Sequence, residues 1–213
     1  MPVGSNSINR RFIANGVDDA YNNWINATNT YTAGIDTTDN SFKITDGATP
    51  SLGTNFLKIA PTSGEITYPT QPIFWARNSG SIGSVTGDGT IYPVVYNTVV
   101  GQVGTGYNSG TGLYTAPIAG WYQFFSSVFF TPFAAGHTFG LLTLTLTGII
   151  NFASFEANPV ATQAGTTNAC YWHVSGIVQM SAGQTVSSNL QVSGGTKTVG
   201  VTANSQFQGR LIG

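Results

Sequence analysis

Charge is the scarcest resource in this sequence. Lys and Arg number 7 and Asp and Glu 8 among 213 residues, leaving a net charge of -1. Ordinary globular domains devote about a quarter of their residues to charge. With Arg10-Arg11 as the only basic pair, the chain lacks the cations that a nucleic-acid interface needs to neutralise phosphates. Cysteine is rarer still. Cys170 stands alone, which excludes an intrachain disulfide and a thiolate metal cage. Followed by the aromatics Tyr171 and Trp172, it is expected as a small buried hydrophobe.

The chain has 2 histidines, His137 and His173, and they lack the close spacing of a metal-binding pair. After residue 71 the only acids are Asp88 and Glu156, far apart and without the paired geometry of glycoside cleavage. No G-x-S-x-G elbow and no Gly-rich run between strand and helix is present. An enzyme, a cofactor and a bound metal are therefore not expected. The stretch from Asp88 to Glu156 has no charge inside it, yet Gly, Pro, Ser and Thr interrupt it throughout. It reads as strands, with no membrane insertion. The opening MPVGSNSINRRF has no apolar core of a signal peptide.

What the chain does have is apolar side chains (41%), aromatics (12%) and 27 glycines. That is enough for a sizeable core. The centre is Tyr107 to Phe130, YNSGTGLYTAPIAGWYQFFSSVFF. Asn108 to Gly112 is a turn cluster, and Leu113 to Ala116 a short strand closed by Pro117. After a bend at Gly120 a long strand begins, with Tyr122, Phe124, Ser126, Val128 and Phe130 on one face. Trp121, Gln123, Phe125, Ser127 and Phe129 take the other. Both faces carry large aromatics, so both are expected to be covered, the second by something beyond one sheet partner, such as another copy of the chain.

Read in order, residues 1–16 are small and polar without a period, and are expected as an attachment segment. Residues 17–70 form a small β module: a strand over Trp24 to Tyr31, a hairpin from Gly34 to Thr45 through Thr37-Thr38-Asp39-Asn40, a strand from Leu52 to Ile59, and a turn at Ser63-Gly64 into Glu65-Ile66-Thr67. Asp36, Asp39 and Asp46 are expected to cap turns, because the calcium-loop spacing is absent. Such a module is too small to be secure alone, so neighbours in an oligomer are expected to complete its core. Tyr68-Pro69-Thr70-Gln71-Pro72 marks a boundary, and residues 71–213 form the larger domain. Ile73 to Arg77 opens it, Asn78 to Thr90 reads as loop, and Tyr92 to Val100 as one or two strands. Leu142, Leu144 and Leu146 alternate with threonines, and Val186, Leu190 and Val192 with polar residues. No stretch reads convincingly as helix. The class is an all-β sandwich.

Two resemblances add to this reading. Tyr107-Asn108, Gly112-x-Tyr114-Thr115-Ala116-Pro117 and Gly120-x-Tyr122-x-Phe124, with Phe207-x-Gly209-x-Leu211 at the end, resemble the complement globular-head family. That family is a branch of the tumour-necrosis-factor-like jelly rolls. Gly183-Gln184-Thr185-Val186 is similar to the family's Gly-Asp-x-Val with Gln in place of the acid. Separately, G-I-D-x-x-D-N-S-F-K-I-x-D-G, then L-G-T-N and S-G-E-I-T, resembles a β module of tailed-phage fibre and appendage proteins, which there precedes a C-terminal head. The resemblances imply a trimeric head on a stalk, with Tyr114, Trp121, Tyr122, Phe124 and Phe207 in the core or the trimer contact.

The expected function is thus a virion fibre or appendage protein of a tailed phage. It would form a homotrimer, join other virion proteins through residues 1–16, and contribute to attachment to a host-surface glycan. The alternative is a purely structural virion part: a head fibre, collar appendage or capsid decoration. If connections alternate between the two ends of the sandwich, three loops share the end away from residue 71. They carry Phe133, His137, Gln163, Asn168, Lys197 and Asn204, a ring, amides and one cation suited to a neutral glycan. His173, inside a strand, is expected to be structural.

Overall fold

The computed structural model describes residues 20–25, 28–147, 150–163 and 168–213. The attachment segment expected over residues 1–16 lies outside these. The chain divides into two compact units, Met1–Gln71 and Pro72–Gly213.

The described part of the first unit is one antiparallel sheet in sequence order: β1 (Ala20–Ile25), β2 (Thr30–Asp36), β3 (Ser41–Thr45), β4 (Asn55–Ile59) and β5 (Ile66–Thr67). The strand expected over Trp24 to Tyr31 is instead the crossing between β1 and β2, with Trp24 opposite Tyr31. The β2–β3 hairpin brings Asp36 opposite Ser41 across its four-residue turn. Burial in this sheet is inverted. The covered face is polar, with Thr32, Asp36, Ser41, Lys43 and Thr45 buried. The β3–β4 connection helps to cover it, through hydrogen bonds from Thr32 Oγ to the Gly47 carbonyl and from Asn23 to the Ala48 carbonyl. The opposite face is apolar and largely open: Trp24, Tyr31, Ile35 and Ile66 are all exposed.

An ion network holds the polar face. Lys43 Nζ reaches Asp36 and lies 3.1 Å from Asp39, and Lys58 Nζ donates to Asp39 at 2.7 Å. Burial pushes the Asp36 carboxyl up, but the Lys43 ammonium and the Thr38 hydrogen bonds outweigh it and leave the pKa below its ordinary value. Lys58, with Ser41, holds Asp39 well below the usual carboxylate range. Each aspartate also caps its own turn, Asp36 accepting from Thr38 N at 2.9 Å and Asp39 from Ser41 N at 3.1 Å. The carboxylate oxygens of Asp36 and Asp39 thus accept from turn amides, hydroxyls and ammoniums at once.

The second unit is all-β, a jelly-roll sandwich of two antiparallel sheets. Its strands are β6 (Ile73–Arg77), β7 (Ile82–Thr86), β8 (Ile91–Pro93), β9 (Thr98–Val103), β10 (Tyr107–Asn108), β11 (Leu113–Thr115), β12 (Gly120–Thr131), β13 (Phe139–Leu146), β14 (Ile150–Ala157), β15 (Cys170–Met180), β16 (Thr185–Ser193), β17 (Val199–Val201) and β18 (Gln206–Leu211). One sheet runs β10-β11-β16-β13-β14 with β8 beside β16. The other runs β7-β17-β12-β18-β6-β9 with β15 beside β12. One turn of helix, α1 (Pro159–Thr162), is capped by the Asn158 side chain. The stretch 78–90 expected as loop contains β7, an edge strand that exists because Val199–Val201 offers it a partner.

The long aromatic strand expected from Gly120 is β12. It pairs from Gly120 to Phe130 with β15 and over Tyr122 to Ser127 with β18. Its inward residues Tyr122, Phe124, Ser126, Val128 and Phe130 are fully buried. They meet an aromatic cluster from both sheets. Phe74 stacks on Tyr107 and Tyr114, each at 4.8 Å, and meets Phe207 edge-on at 5.0 Å. Gly209 lies between the Phe74 and Phe124 rings, where a Cβ would collide with both. Two of the phenols are satisfied locally, Tyr107 OH donating to the Tyr96 carbonyl at 3.0 Å and Tyr122 OH to the Ile118 carbonyl at 2.9 Å, whereas the buried Tyr114 OH has no hydrogen-bond partner among the described residues. Tyr96 OH closes a buried triad with Ser126 and Ser188. Burial pushes the Tyr96 phenol well above its usual range.

Candidate functional site

Two surfaces of the second unit are candidates: one end of the sandwich, and the outer face of the seven-stranded sheet. The end comes first, because the six candidate ligand residues fall there. Thr131 Oγ and Phe133 N both donate to the Asn168 carbonyl, at 3.0 and 3.3 Å. His137 Nε2 lies 3.0 Å from the Thr196 carbonyl, and Asn204 lines a shallow hollow with Phe129 and Tyr171. This is the end opposite Pro72, whose carbonyl accepts from Leu211 N.

Two of the six do not present themselves to a ligand. Phe133 is 3% exposed and His137 is fully buried, which corrects the expectation of an exposed ring and imidazole. The loop turns Phe133 down beside Phe130, centroids 6.2 Å apart. His137 is a structural pin. Its Nδ1 accepts from Ala134 N at 2.8 Å, which leaves the proton on Nε2 to be donated to Thr196. Gly87 and Gly195 press against the ring so closely that a Cβ at Gly195 would strike it. Asn168, Lys197 and Asn204 are exposed and Gln163 is half-buried. Hydrogen bonds from Thr90 hold the Asp88 carboxyl below its ordinary value, with a smaller contribution from Lys197. The end is therefore a thin polar rim without an aromatic platform of the expected kind.

The outer face of the seven-stranded sheet is built differently. Strand pairing sets Ile177, Gln123, Arg210, Ile73 and Val103 in one row across β15, β12, β18, β6 and β9. Ser175, Phe125, Gln208, Trp75 and Gly101 form the next, and Tyr171 faces Phe129 further along. Ile177 is 53% exposed, Trp121 48%, Ile73 47%, Tyr171 45% and Trp75 43%. A trough of about 780 Å³ crosses this face, bounded by Ile73, Trp75, Gly101, Gln123, Phe125 and Arg210. The Arg210 guanidinium is held flat by two hydrogen bonds to Gln123 Oε1, at 3.1 and 2.9 Å. Trp75 Nε1 donates to Gln206 at 3.2 Å. At one margin Tyr171 meets His173 edge-on at 5.0 Å, and His173 stacks on Phe125 at 6.3 Å.

Of the five residues assigned to core or trimer contact, Tyr114, Tyr122, Phe124 and Phe207 are core, and Trp121 lies on this outer face. Ile73, Trp75, Tyr171 and Ile177 were not among the sequence candidates. The signal for them was the same as for β12: Ile73-Phe74-Trp75 and Tyr171-Trp172-His173 are apolar or aromatic on both faces of a strand.

Both nitrogens of His137 are engaged, and among the described residues no group of three or more His, Cys, Asp or Glu could hold a metal. Cys170 is buried, its thiol pKa raised by burial, with Sγ directed at the Pro159 carbonyl 3.3 Å away. Among the described residues no helix is long and apolar enough to cross a membrane.

No protein-family model matches the chain, and no curated protein matches it. Solved structures do. The globular domain of zebrafish complement 1qA protein is 18% identical, covering 67% of this chain and 98% of its own, with a TM-score of 0.45. Murine APRIL at pH 8.5 is 12% identical, covering 67% of this chain and 99% of its own, with a TM-score of 0.46. Murine APRIL at pH 5.0 gives 12%, the same coverages and a TM-score of 0.44.

Proposed function

We propose that this chain is a non-enzymatic virion fibre or appendage protein of a tailed phage, a homotrimer that contributes to attachment at a host surface. One observation carries the reading: each unit leaves an apolar sheet face uncovered. In the first unit it is the face of Trp24, Tyr31, Ile35 and Ile66. In the second it is the face of Ile73, Trp75, Trp121, Tyr171 and Ile177. An apolar patch of this kind marks an interaction surface. Copies of the same chain are its simplest occupant, because one assembly then covers both faces. Three copies, rather than two, and a phage stalk beneath a head are what the sequence resemblances imply.

Phe133 and His137 are buried, and this favours a second reading, in which the protein is a structural head fibre, collar appendage or capsid decoration without an adhesive end. Sedimentation equilibrium of the full chain tests the assembly: a trimer is expected, and a stable folded monomer at dilute concentration sinks it. Electron microscopy of the intact particle with a bound antibody separates the two roles, a tail-tip position supporting attachment and a capsid or collar position the structural part.

A further inference from the structure

The other sheet turns a different surface outward. Across β8, β16, β13 and β14, strand pairing lines up Ile91, Gln191, Leu141 and Glu156 in one row. Asn189, Thr143 and Ser154 form the next, and Thr145 faces Asn151 beyond them. Amides and hydroxyls dominate this face, and Glu156 is the only charge in these rows. In the middle is a dent of about 180 Å³ with Thr143 at its floor, a residue only 5% exposed.

The polar groups around the dent are oriented by one another. Thr145 Oγ accepts from Asn189 Nδ2 at 2.8 Å and donates to Asn151 Oδ1 at 2.7 Å. Each asparagine is thereby tied by one end of its amide, leaving Asn189 Oδ1 as an acceptor and Asn151 Nδ2 as a donor. Gln191 spends its NH₂ on the Gly89 carbonyl at 2.8 Å, which leaves Oε1 as a second acceptor. Ile91, 60% exposed, and Leu141 supply an apolar rim beside these groups. All of them sit on strands, whose positions are better fixed than those of loops.

We propose that this dent is a binding site for one ring of a neutral saccharide. Adjacent sugar hydroxyls each donate and accept, and so match an acceptor and a donor held on two asparagines that share Thr145 Oγ. The C–H face of the ring lies against Ile91 and Leu141. No cation lines the dent, so an anionic sugar has no partner there, and the hydroxyl floor suits a purely apolar ligand poorly. A shallow site of this size binds weakly. Its use rests on the attachment reading above, in which three copies on one head raise the avidity of a weak site.

The test uses the full chain and saturation-transfer NMR with the methyl glycosides of glucose, galactose, mannose and N-acetylglucosamine, with methyl glucuronide as the charged comparison. Transfer to at least one neutral glycoside is expected, and none to the glucuronide. Asn151→Asp keeps the acceptor used by Thr145 and exchanges the free donor for an acceptor. It should weaken binding about tenfold, the scale of one good hydrogen bond. Glu65→Gln, at an exposed position of the first unit, should leave binding unchanged. Transfer to none of the neutral glycosides, equal binding by Asn151→Asp, or preference for the glucuronide each overturns the site. So does a response only to an unrelated peptide probe. Sedimentation of the same samples keeps the readings apart: a monomer that binds sugar retains this site and removes the trimer, and a trimer that binds none does the reverse.

Discussion

At the scale of single residues, neighbours on β12 are expected to behave in opposite ways. Tyr122 and Phe124 are 0% and 1% exposed inside the aromatic cluster, so truncating either to Ala should cost about 3–5 kcal/mol through lost burial and a cavity. Trp121, 48% exposed, should cost little in an isolated subunit and much in association. Urea unfolding reads the stability of each variant and sedimentation its association, and equal losses for Tyr122→Ala and Trp121→Ala in both would remove the distinction between inner and outer face. His137→Ala is expected to destabilise by about 2–4 kcal/mol, since it opens a cavity and leaves the Ala134 amide without its acceptor. Restored stability in the variant at no more than the cost of a surface change would show that the imidazole does not pin the loops.

At the scale of elements, the first unit's sheet depends on a buried ion network. Asp36 and Asp39 are held below their ordinary pKa values in the fold, and Lys43 is held above its own, the Asp36 and Asp39 interactions outweighing burial. The sign follows directly. A lowered carboxylate contributes stability that is present above its unfolded pKa, about 3.9, and lost as pH falls through the lower folded value. A raised ammonium contributes below its unfolded pKa, about 10.4, and loses that contribution as pH rises through the higher folded value. Thermal melts of the first unit's transition should therefore show a plateau between these limits and a decline on either side. Lys43→Met should lower stability by about 3 kcal/mol at neutral pH by leaving the Asp36 carboxylate buried without its cation. A flat pH response of the wild-type transition would count against the network.

At the scale of the whole molecule, the uncovered apolar faces predict obligate assembly. Substituting Trp75→Glu places a charge in the middle of the outer face, between Gln208 and Gly101 in the register. The expected product is a folded, concentration-independent monomer by sedimentation, or a chain lost to aggregation because its first unit is uncovered as well. An undisturbed trimer would mean that the contact lies elsewhere. The surface charge is so low that salt should change this assembly little, as expected for burial of apolar area rather than ion pairing.

Much of this architecture was legible from local pattern. Period-two alternation located β12, β13 and β16 and set Tyr122 and Phe124 on one face of β12 and Trp121 on the other, because a strand assigns faces by parity alone; which face is inward only the packing decided. The turn at Thr37 to Asn40 was legible for the same kind of reason, its aspartates capping backbone two residues on. The tertiary structure decided what parity and turn chemistry do not reach. β7 forms only because residues 199–201 pair with it, and a Gly- and Ser-rich stretch carries no sign of that partner. Phe133 and His137 have the sequence surroundings of an exposed loop, and they are buried because Phe133 turns in beside Phe130 and segments near residues 87 and 196 close over His137. The first unit's polar face is the covered one, a reversal that depends on where the β3–β4 connection folds. The hydrogen-bonded group of Asn189, Thr145 and Asn151 is set by the register of three strands, its two asparagines 38 residues apart in the chain. Local chemistry determines which way a side chain points, and only the meeting of distant segments determines what it then touches.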